Sequence, residues 1–587
     1  MRIVFIHLGL MALAELLVIG SLLIEPSQEG GFLGFSPGRW AILFVNTLML
    51  VGVLFAIYKV WTNPPEKLEI WLANERHLFW LFFLTLILFG FSFPAGLGMI
   101  PGIREFAYFG RIQPTLLWMA WASGAVWLTL VAALRASILR WFQQFFPFNL
   151  PVQEIPRLTR AQRYIILGIA LVHIFLQLAS MFQVREAHWL PDSIDYIFPA
   201  ETYAWNEPGL WTHTKPWGAA VLYKLTGSSP ATIDAAQTIL SALAWLALAW
   251  VFSRFIRVRW LRVVSFGFIL GFSLAPSVQM WNHIIQSESL SISLMTLILA
   301  VWLSLLQNWR WEKLFALITL FAWWIGTRET NVYLSLMTAG ILVLVGLFYK
   351  RQCFYWAVSA LLVFFCYVNI GISEVPTLPR WLYPLTNTVL HRILPEEEFR
   401  GYFEYFGMPV TPELLALSGG FAHSEDFAVY NNPTLDDMER WLYRKGKDVY
   451  IQFLIAHPVY TITSPWQHVD ELLAPSELLN YAPDKYSPVM VWLFGEAFFP
   501  NSLWLVLLLA LLAFALTVRS KSWRGSPAFW LVLGFLVLFF PHFYLAWHGD
   551  AAEVGRHAIQ ASVQLRLSLW LLLWLALDTI VSQAKQN

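Results

Sequence analysis

Long apolar runs are the feature that most constrains this chain. Segments of about 20 mostly apolar residues recur along the 587 residues, and a helix of that length crosses the hydrocarbon core of a bilayer. Only 13% of the residues are charged, whereas about a quarter are charged in a soluble domain. The sequence therefore predicts an all-α polytopic membrane protein with about 14 transmembrane helices, at 3–24, 40–60, 78–98, 114–134, 164–183, 233–253, 263–281, 286–306, 312–326, 331–349, 353–372, 502–518, 528–546 and 557–580.

Basic residues in the short loops predict the orientation. With a cytoplasmic N-terminus and alternating spans, the cytoplasmic loops collect dense Lys and Arg clusters at 135–163, 254–262 and 519–524. Cytoplasmic loops carry such an excess. Both termini are therefore predicted to be cytoplasmic. The absence of a lumenal retention signal favours a multi-pass protein of a bacterial plasma (inner) membrane.

Two predicted outer segments are too long to be simple turns. These are 184–232 and 373–501, and loops of this length are usually functional or carry their own structure. The chain is accordingly divided into a four-helix N-terminal extension (1–150), a seven-helix core (160–372), an outer helical domain (373–501) and a three-helix C-terminal segment (502–587). The formal net charge of +1 argues against a nucleic-acid partner.

The stretch HWLPDSIDYIFPA, residues 188–200, places two carboxylates at the outer mouth of the fifth predicted helix. Asp192 and Asp195 are three residues apart, which puts both on one face of a helix. One interpretation is a solvated turn in which Asp192 caps a short helix. The aromatic run that follows, residues 196–230, instead favours a segment lying in the membrane interface and ending at Gly227.

These motifs together resemble the C-type glycosyltransferase superfamily, whose members use polyprenyl-phosphate sugars. The nearest likeness is to protein mannosyltransferases and lipid A aminoarabinose transferases. Two short motifs, QSESL (286–290) and TRETN (327–331), resemble an acidic helix end and an Arg-containing outer turn of that family. The resemblance covers roughly 160–372, and it is carried in the outer loop by Asp192, Tyr196, Ala200, Trp211, Lys215-Pro216 and Leu222-Tyr223 through Gly227.

The resemblance implies transfer of a sugar from a polyprenyl phosphate or diphosphate to an acceptor hydroxyl on the outer face. The reaction is an inverting single displacement that needs a carboxylate base. Asp192 matches the family's acidic position, with Asp195 orienting the acceptor, and the reverse assignment stays open. Cations stabilise the departing lipid phosphate. No cofactor or metal is expected, and the partners are the lipid-linked donor, a glycan, lipid or protein acceptor, and membrane lipids.

The remaining candidate residues each have a structural alternative. Lys215, His213 and Arg328 are candidates for binding the lipid phosphate, or are interfacial anchors. Glu288 is a substrate-binding candidate or a helix cap, and Glu329 either contacts substrate or pairs with Arg328. The segment before the last helix has two interpretations. It contacts the acceptor or the lipid phosphate, or Glu553 and Arg556, three residues apart, form an ion pair with each other. Tyr196 and His557 are also predicted to bind substrate, and Arg556 is also predicted to bind the lipid-linked donor.

Two other classes of protein fit the hydropathy. A transporter or flippase also has about this many helices, but such proteins show internal repeats and broken helices at the midplane, and the sequence has no repeat. A non-catalytic membrane scaffold would tolerate the loss of Asp192, Lys215 and Arg328. The concentration of charge at the outer loops favours the enzyme.

Overall fold

The computed structural model describes residues 37–62, 75–96, 158–348, 352–375, 379–474, 478–487, 495–521 and 526–584, together with parts of 8–20 and 112–130. These residues are helices and connecting turns. Within them, the sole strand-like contact is an isolated parallel bridge between His188 and Ile284. The predicted all-α fold is confirmed for this part of the chain.

The chain divides into two compact units. One consists of Met1–Pro147 with Ile370–Ile372, and the other of Phe148–Asn369 with Ser373–Asn587. In the first unit the described helices are α1 (Pro37–Thr62) and α2 (Glu75–Gly96), and the described pieces of 8–20 and 112–130 are also helical. The four segments predicted from the sequence, 1–150, 160–372, 373–501 and 502–587, stay predictions.

The second unit contains most of the described helices, with Ile370–Ile372 of its helix Gln352–Ser373 assigned to the first unit. Those before residue 375 are α3 (Arg160–Val184), α4 (Ile194–Thr202), α5 (Pro208–Trp211), α6 (Trp217–Thr226), α7 (Pro230–Ser253), α8 (Arg259–Ser273), α9 (Pro276–Gln279), α10 (Glu288–Gln307), α11 (Trp311–Ile325), α12 (Glu329–Phe348) and α13 (Gln352–Ser373). Those after it are α14 (Leu382–Thr388), α15 (Glu397–Tyr405), α16 (Pro412–Ala416), α17 (Ser424–Asn431), α18 (Asp436–Trp441), α19 (Lys447–Ala456), α20 (Pro458–Gln467), α21 (Val469–Leu473), α22 (Gly495–Phe498), α23 (Leu503–Ser520), α24 (Pro527–Val537), α25 (Phe539–Gly549) and α26 (Val554–Ala584).

Eight described helices are long and apolar enough to cross a membrane, and the chain is a multi-pass membrane protein. A ninth span results if α8 and the helical turn Pro276–His283 count together, although a 60° bend separates them. Pro276 explains the bend, because it cannot donate the backbone hydrogen bond that would continue α8. The predicted segments 3–24 and 114–134 are described only in part, so the number fourteen stays a prediction.

The predicted interfacial run after residue 196 is helical but comes in three pieces. Pro208 is the first residue of α5, and Pro216 directly precedes α6. The two prolines separate these helices from α4. The run ends where the sequence predicts, because Gly227 adopts φ +90°, a left-handed conformation that caps α6. The three pieces turn the chain back on itself instead of forming one straight interfacial helix.

Charged and polar contacts mark the two ends of the helix bundle. Near one end, the carboxylate of Asp578 on α26 accepts hydrogen bonds from the backbone N–H groups of Arg257 and Val258, at 2.8 Å each. At the other end lie the beginnings of α7, α10 and α26 and the loop after α3. We call this the site end, and the charge pattern predicts that it faces outside.

A separate hydrophobic cluster organises the chain after α13. Phe403, Trp441 and Phe453 are buried in it, and α14 to α19 pack around them. This cluster gives the predicted outer domain a core of its own.

Candidate functional site

The loop carrying Asp192 is fixed to the loop that precedes α10. The backbone N–H of His188 donates to the His283 carbonyl at 2.7 Å, and that of Ile285 donates to the His188 carbonyl at 3.0 Å. The Ser193 hydroxyl adds a bond to the Ile285 carbonyl at 2.8 Å. Because Glu288 begins α10 just after this loop, the contacts fix Asp192 relative to Glu288.

Two side chains from neighbouring helices hold the same loop from below. The Gln237 amide on α7 donates to the carbonyls of Asn282 and Ile284, at 3.0 and 2.9 Å. The buried Tyr223 hydroxyl on α6 donates to the Gln286 carbonyl at 2.8 Å. Gln237 and Tyr223 thus support the loop that precedes Glu288.

The start of α6 packs closely on the turn that carries Arg328. The N–H of Gly218 donates to the Gly326 carbonyl at 2.6 Å, and Trp323 donates to the Gly218 carbonyl at 3.0 Å. A Cβ at Gly218 would lie 2.8 Å from the Gly326 oxygen, which is closer than real Cβ contacts. Glycine is therefore required at 218, and the contact sets the position of Lys215 relative to Arg328.

Asp192 lies between two cations that are distant in sequence. Its Oδ2 atom is 3.0 Å from Lys215 Nζ and 3.1 Å from Arg556 Nη2. Lys215 comes from the loop before α6, and Arg556 from the first turn of α26. Hydrogen bonds between ionised groups are short and strong, so this carboxylate joins the loop to the last helix.

Glu288 extends these contacts into the protein. Its carboxylate, 2% exposed, is 3.4 Å from Arg328 Nη1 and 3.9 Å from Arg556 Nε. Arg556 also pairs with Glu553 at 2.6 Å, as the three-residue spacing predicts. We call Asp192, Lys215, Glu288, Arg328, Glu553 and Arg556 the ion-pair cluster. Glu288 is therefore an ion-pair partner and not a helix cap.

His557 continues the cluster toward the chain after α13. Arg328 Nη2 lies 2.9 Å from its Nδ1, and a guanidinium can only donate, so Nδ1 accepts and the ring proton is on Nε2. Nε2 faces Asp550 Oδ2 at 3.6 Å, and Asp550 also accepts from the Asn387 amide at 2.8 Å. The neutral imidazole thereby links a core cation to the chain after α13.

A buried polar layer lies one turn below the cluster. The Asn331 amide donates to the hydroxyls of Ser291 and Thr327, at 2.8 and 2.9 Å, and its oxygen accepts from Gln560 at 3.1 Å. Ser291 in turn donates to Gln560 at 2.6 Å. Between membrane helices such bonds contribute about 0.6 kcal/mol each on average. Together they hold α10, α12 and α26 in register beneath the charges.

The two aspartates of the loop differ in pKa. Burial raises the pKa of Asp192, but the charges of Lys215 and Arg556 outweigh it and bring the pKa down to about 2. The resulting stabilisation is present above the ordinary value near 3.8 and is lost as the pH falls toward 2. For Asp195, burial is the largest effect and its pKa is raised. Opposite shifts in neighbouring carboxyls are typical of sites that assign them different roles.

Besides Asp195 and His557, three predicted residues lie outside the ion-pair cluster. The ring of His213 contacts Phe198 and the Thr214 hydroxyl, and burial lowers its pKa, which argues against a phosphate-binding cation. Tyr196 is buried, with its hydroxyl 3.5 Å from Ser287. Glu329 pairs with Arg380 at 3.1 Å and not with the adjacent Arg328.

Arg380 is the residue at this site that sequence reasoning missed. Its guanidinium is buried, pairs with Glu329 and donates to the carbonyls of His213 and Trp211, at 2.8 and 3.4 Å. It thereby ties the loop before Lys215 to the start of α12. Its position in the chain after the core gave no sign of this, because such a contact depends on tertiary structure.

No protein family matches this sequence, and no curated protein matches it. Within the part of the chain that the structure describes, no three His, Cys, Asp or Glu side chains meet as a metal-binding group. The chemistry of the site therefore has to be argued from its own geometry.

Proposed function

We propose that the protein is a membrane glycosyltransferase that moves a sugar from a polyprenyl phosphate or diphosphate to an acceptor hydroxyl at the site end. The observation that carries the proposal is the position of Asp192, whose carboxylate touches both Lys215 and Arg556. An inverting displacement needs a base for the acceptor proton on one face of the anomeric carbon and cations for the leaving phosphate on the other. Asp192, Lys215 and Arg556 bring a carboxylate and two cations together at one site.

In the proposed reaction the acceptor oxygen attacks the anomeric carbon while Asp192 takes its proton. The new C–O bond forms as the bond between the carbon and the phosphate oxygen breaks, and the phosphate leaves with the electron pair. Negative charge thus moves from the base to the leaving group. Lys215, Arg328 and Arg556 are the cations that offset this charge, and the sugar configuration inverts.

Two buried donors in the cluster make no hydrogen bond. These are Arg328 Nη1 and Arg556 Nε, whose distances to Glu288 of 3.4 and 3.9 Å are those of ion pairs and not of good hydrogen bonds. Leaving a buried charged donor without an acceptor costs more than about 1–3 kcal/mol. A phosphate oxygen between the two guanidinium groups supplies the acceptor, which supports their role in donor binding.

Asp195 is the alternative base, and pH dependence separates the two assignments. With Asp192 as the base, protonation of Asp195 weakens acceptor positioning, so transfer rises as the pH rises through the raised pKa of Asp195. In Asp195→Asn, the uncharged asparagine stands in for the protonated aspartate at every pH. This variant is expected to give a rate that does not change across about pH 4 to 8 and that equals the low-pH rate of the wild type. Loss of transfer as complete as in Asp192→Asn would make Asp195 the base.

The proposed function is tested in cells of the source strain that lack the protein. Complementation with wild type is expected to restore a surface sugar, whereas Lys215→Met lowers transfer roughly 10²–10³-fold because one leaving-group donor is lost. Lys485→Met, an exposed lysine after α21, is the matched control. The measurement compares extracted polyprenyl-phosphate sugars with surface glycans at equal protein level. Unchanged lipid-linked sugars in the deletion strain would contradict the proposal.

A further inference from the structure

The helices α19 and α20 expose apolar side chains where a water-facing surface would be polar. Ile455 is 74% exposed and Val459 is 73% exposed, and Ile451, Ile462 and Trp466 are also exposed. Their spacing of three or four residues puts them on one face of each helix. The opposite face of α19 is also apolar, because Phe453 is buried there in the core of the outer domain.

The sequence around this surface contains almost no charge. Between Asp448 and Asp470 there is no Asp, Glu, Lys or Arg. A charge-free stretch of this length is unusual in a chain segment that lies in water, since charged residues make up about a quarter of soluble domains.

Helix α20 runs along the membrane-spanning segment Pro527–Gly549 toward the middle of the bundle. The Thr461 carbonyl lies 2.9 Å from His548 Nε2, near the end of that segment. Five residues later in α20, Trp466 donates to the hydroxyl of Tyr544, which precedes His548 by four residues, at 2.8 Å. Tyr544 lies five residues before the end of that span at Gly549, or about 7.5 Å along the helix. The Trp466 ring also contacts Phe540, which is itself exposed.

The chain that follows α20 reaches deeper still. The buried Arg566 on α26 donates to the carbonyls of Leu473 and Pro500, at 2.5 and 2.7 Å. Arg566 is ten residues beyond Arg556, or about 15 Å further along α26 and away from the site end. Both Leu473 and Pro500 are therefore beside the membrane-spanning part of α26.

From these contacts we infer that α20 and α21 form a re-entrant element in the leaflet at the site end, with lipid acyl chains covering the exposed face of α19 and α20. The occupant is lipid because the apolar surface continues onto the exposed face of α25, which a membrane span presents to the bilayer. A helix can end within the membrane where other protein groups make hydrogen bonds to its free backbone N–H and C=O groups. Arg566 makes such bonds to the carbonyls of Leu473 and Pro500.

Fluorescence quenching in vesicles tests this inference without relying on enzyme activity. Single substitutions Val459→Cys and Ile462→Cys place a bimane probe on the exposed face, and Asp437→Cys places one on the water-exposed α18 as the control. Wild type carried through the same labelling measures the background from Cys353 and Cys366. The labelled proteins are reconstituted in phosphatidylcholine with and without brominated acyl chains.

Brominated lipid is expected to quench the probes at 459 and 462 severalfold more than the probe at 437. Aqueous iodide is expected to give the opposite order, because iodide is excluded from the hydrocarbon region. Equal iodide quenching at all three positions in the reconstituted protein would overturn the inference, and the face would then be open to water and available to a protein partner. Because the substituted side chains are exposed, folding does not depend on them.

Discussion

Asp192→Asn is expected to lower sugar transfer by about 10²–10⁴-fold, the contribution of a positioned general base. Asparagine keeps the shape of the side chain but cannot take the acceptor proton. The change also leaves Lys215 and Arg556 without a carboxylate that lies 3.0 and 3.1 Å away. Donor binding should be kept or strengthened, because Lys215 has then lost its carboxylate partner and Arg556 keeps only Glu288 and Glu553. The defect is therefore expected in kcat and not in KM for the lipid-linked donor.

The measurement follows transfer by the purified protein in vesicles from polyprenyl-phosphate sugars extracted from the deletion strain. Asp437→Asn is the matched control, since Asp437 is an exposed aspartate in an ion pair with Arg440 and lies far from the cluster in sequence. It is expected to behave as wild type. Full transfer by Asp192→Asn would remove this residue from the reaction and would leave Asp195 as the base, whereas no transfer by the wild type itself would favour a transporter or a scaffold.

Arg556→Gln is expected to cause the largest loss of stability among the cluster residues. The arginine, 6% exposed, contacts Asp192, Glu288 and Glu553. Removing one member of a buried ion pair costs about 3–5 kcal/mol, because the remaining charge is left without a partner. The carboxylate of Glu288 accounts for most of this cost, because it is almost fully buried and keeps only Arg328 as a partner.

Denaturation in detergent measures this loss for Arg556→Gln, Glu288→Gln and the double variant. Much of the stability is expected to return in the double variant, because neutralising both partners removes the unpaired charge. Arg440→Gln, in an exposed pair, is the control and should unfold as wild type. Additive losses in the double variant would show that Arg556 and Glu288 do not interact.

The sequence predicted the helical class and most members of the site. Hydropathy predicted the spans because a membrane requires long apolar helices whatever their packing. Asp192, Lys215, Glu288, Arg328 and Arg556 were all named, because charges are rare in such a chain and those at helix ends are functional candidates. Their mutual contacts were not predicted, except for Glu553–Arg556, which is local in sequence.

What the sequence could not supply was the set of long-range partners. Glu329 stands beside Arg328, and a local pair was a reasonable expectation, yet it contacts Arg380 at 3.1 Å. His213 lies near Lys215 in sequence, but its ring packs on Phe198 and points to a different role. Such choices depend on how α6, α12 and the outer domain pack, and spacing along the chain does not encode them.

The separation of Asp192 and Arg556 by 364 positions has a consequence for biosynthesis. Membrane proteins enter the bilayer from the N-terminus onward, so both Asp192 and Glu288 are in place long before the last helix is made. Until α26 is inserted, these acids lack their arginine, and α10 lacks the Gln560 that bonds Ser291. The nascent chain therefore has to keep an incomplete polar interior apart from lipid, and only synthesis of the final span closes it.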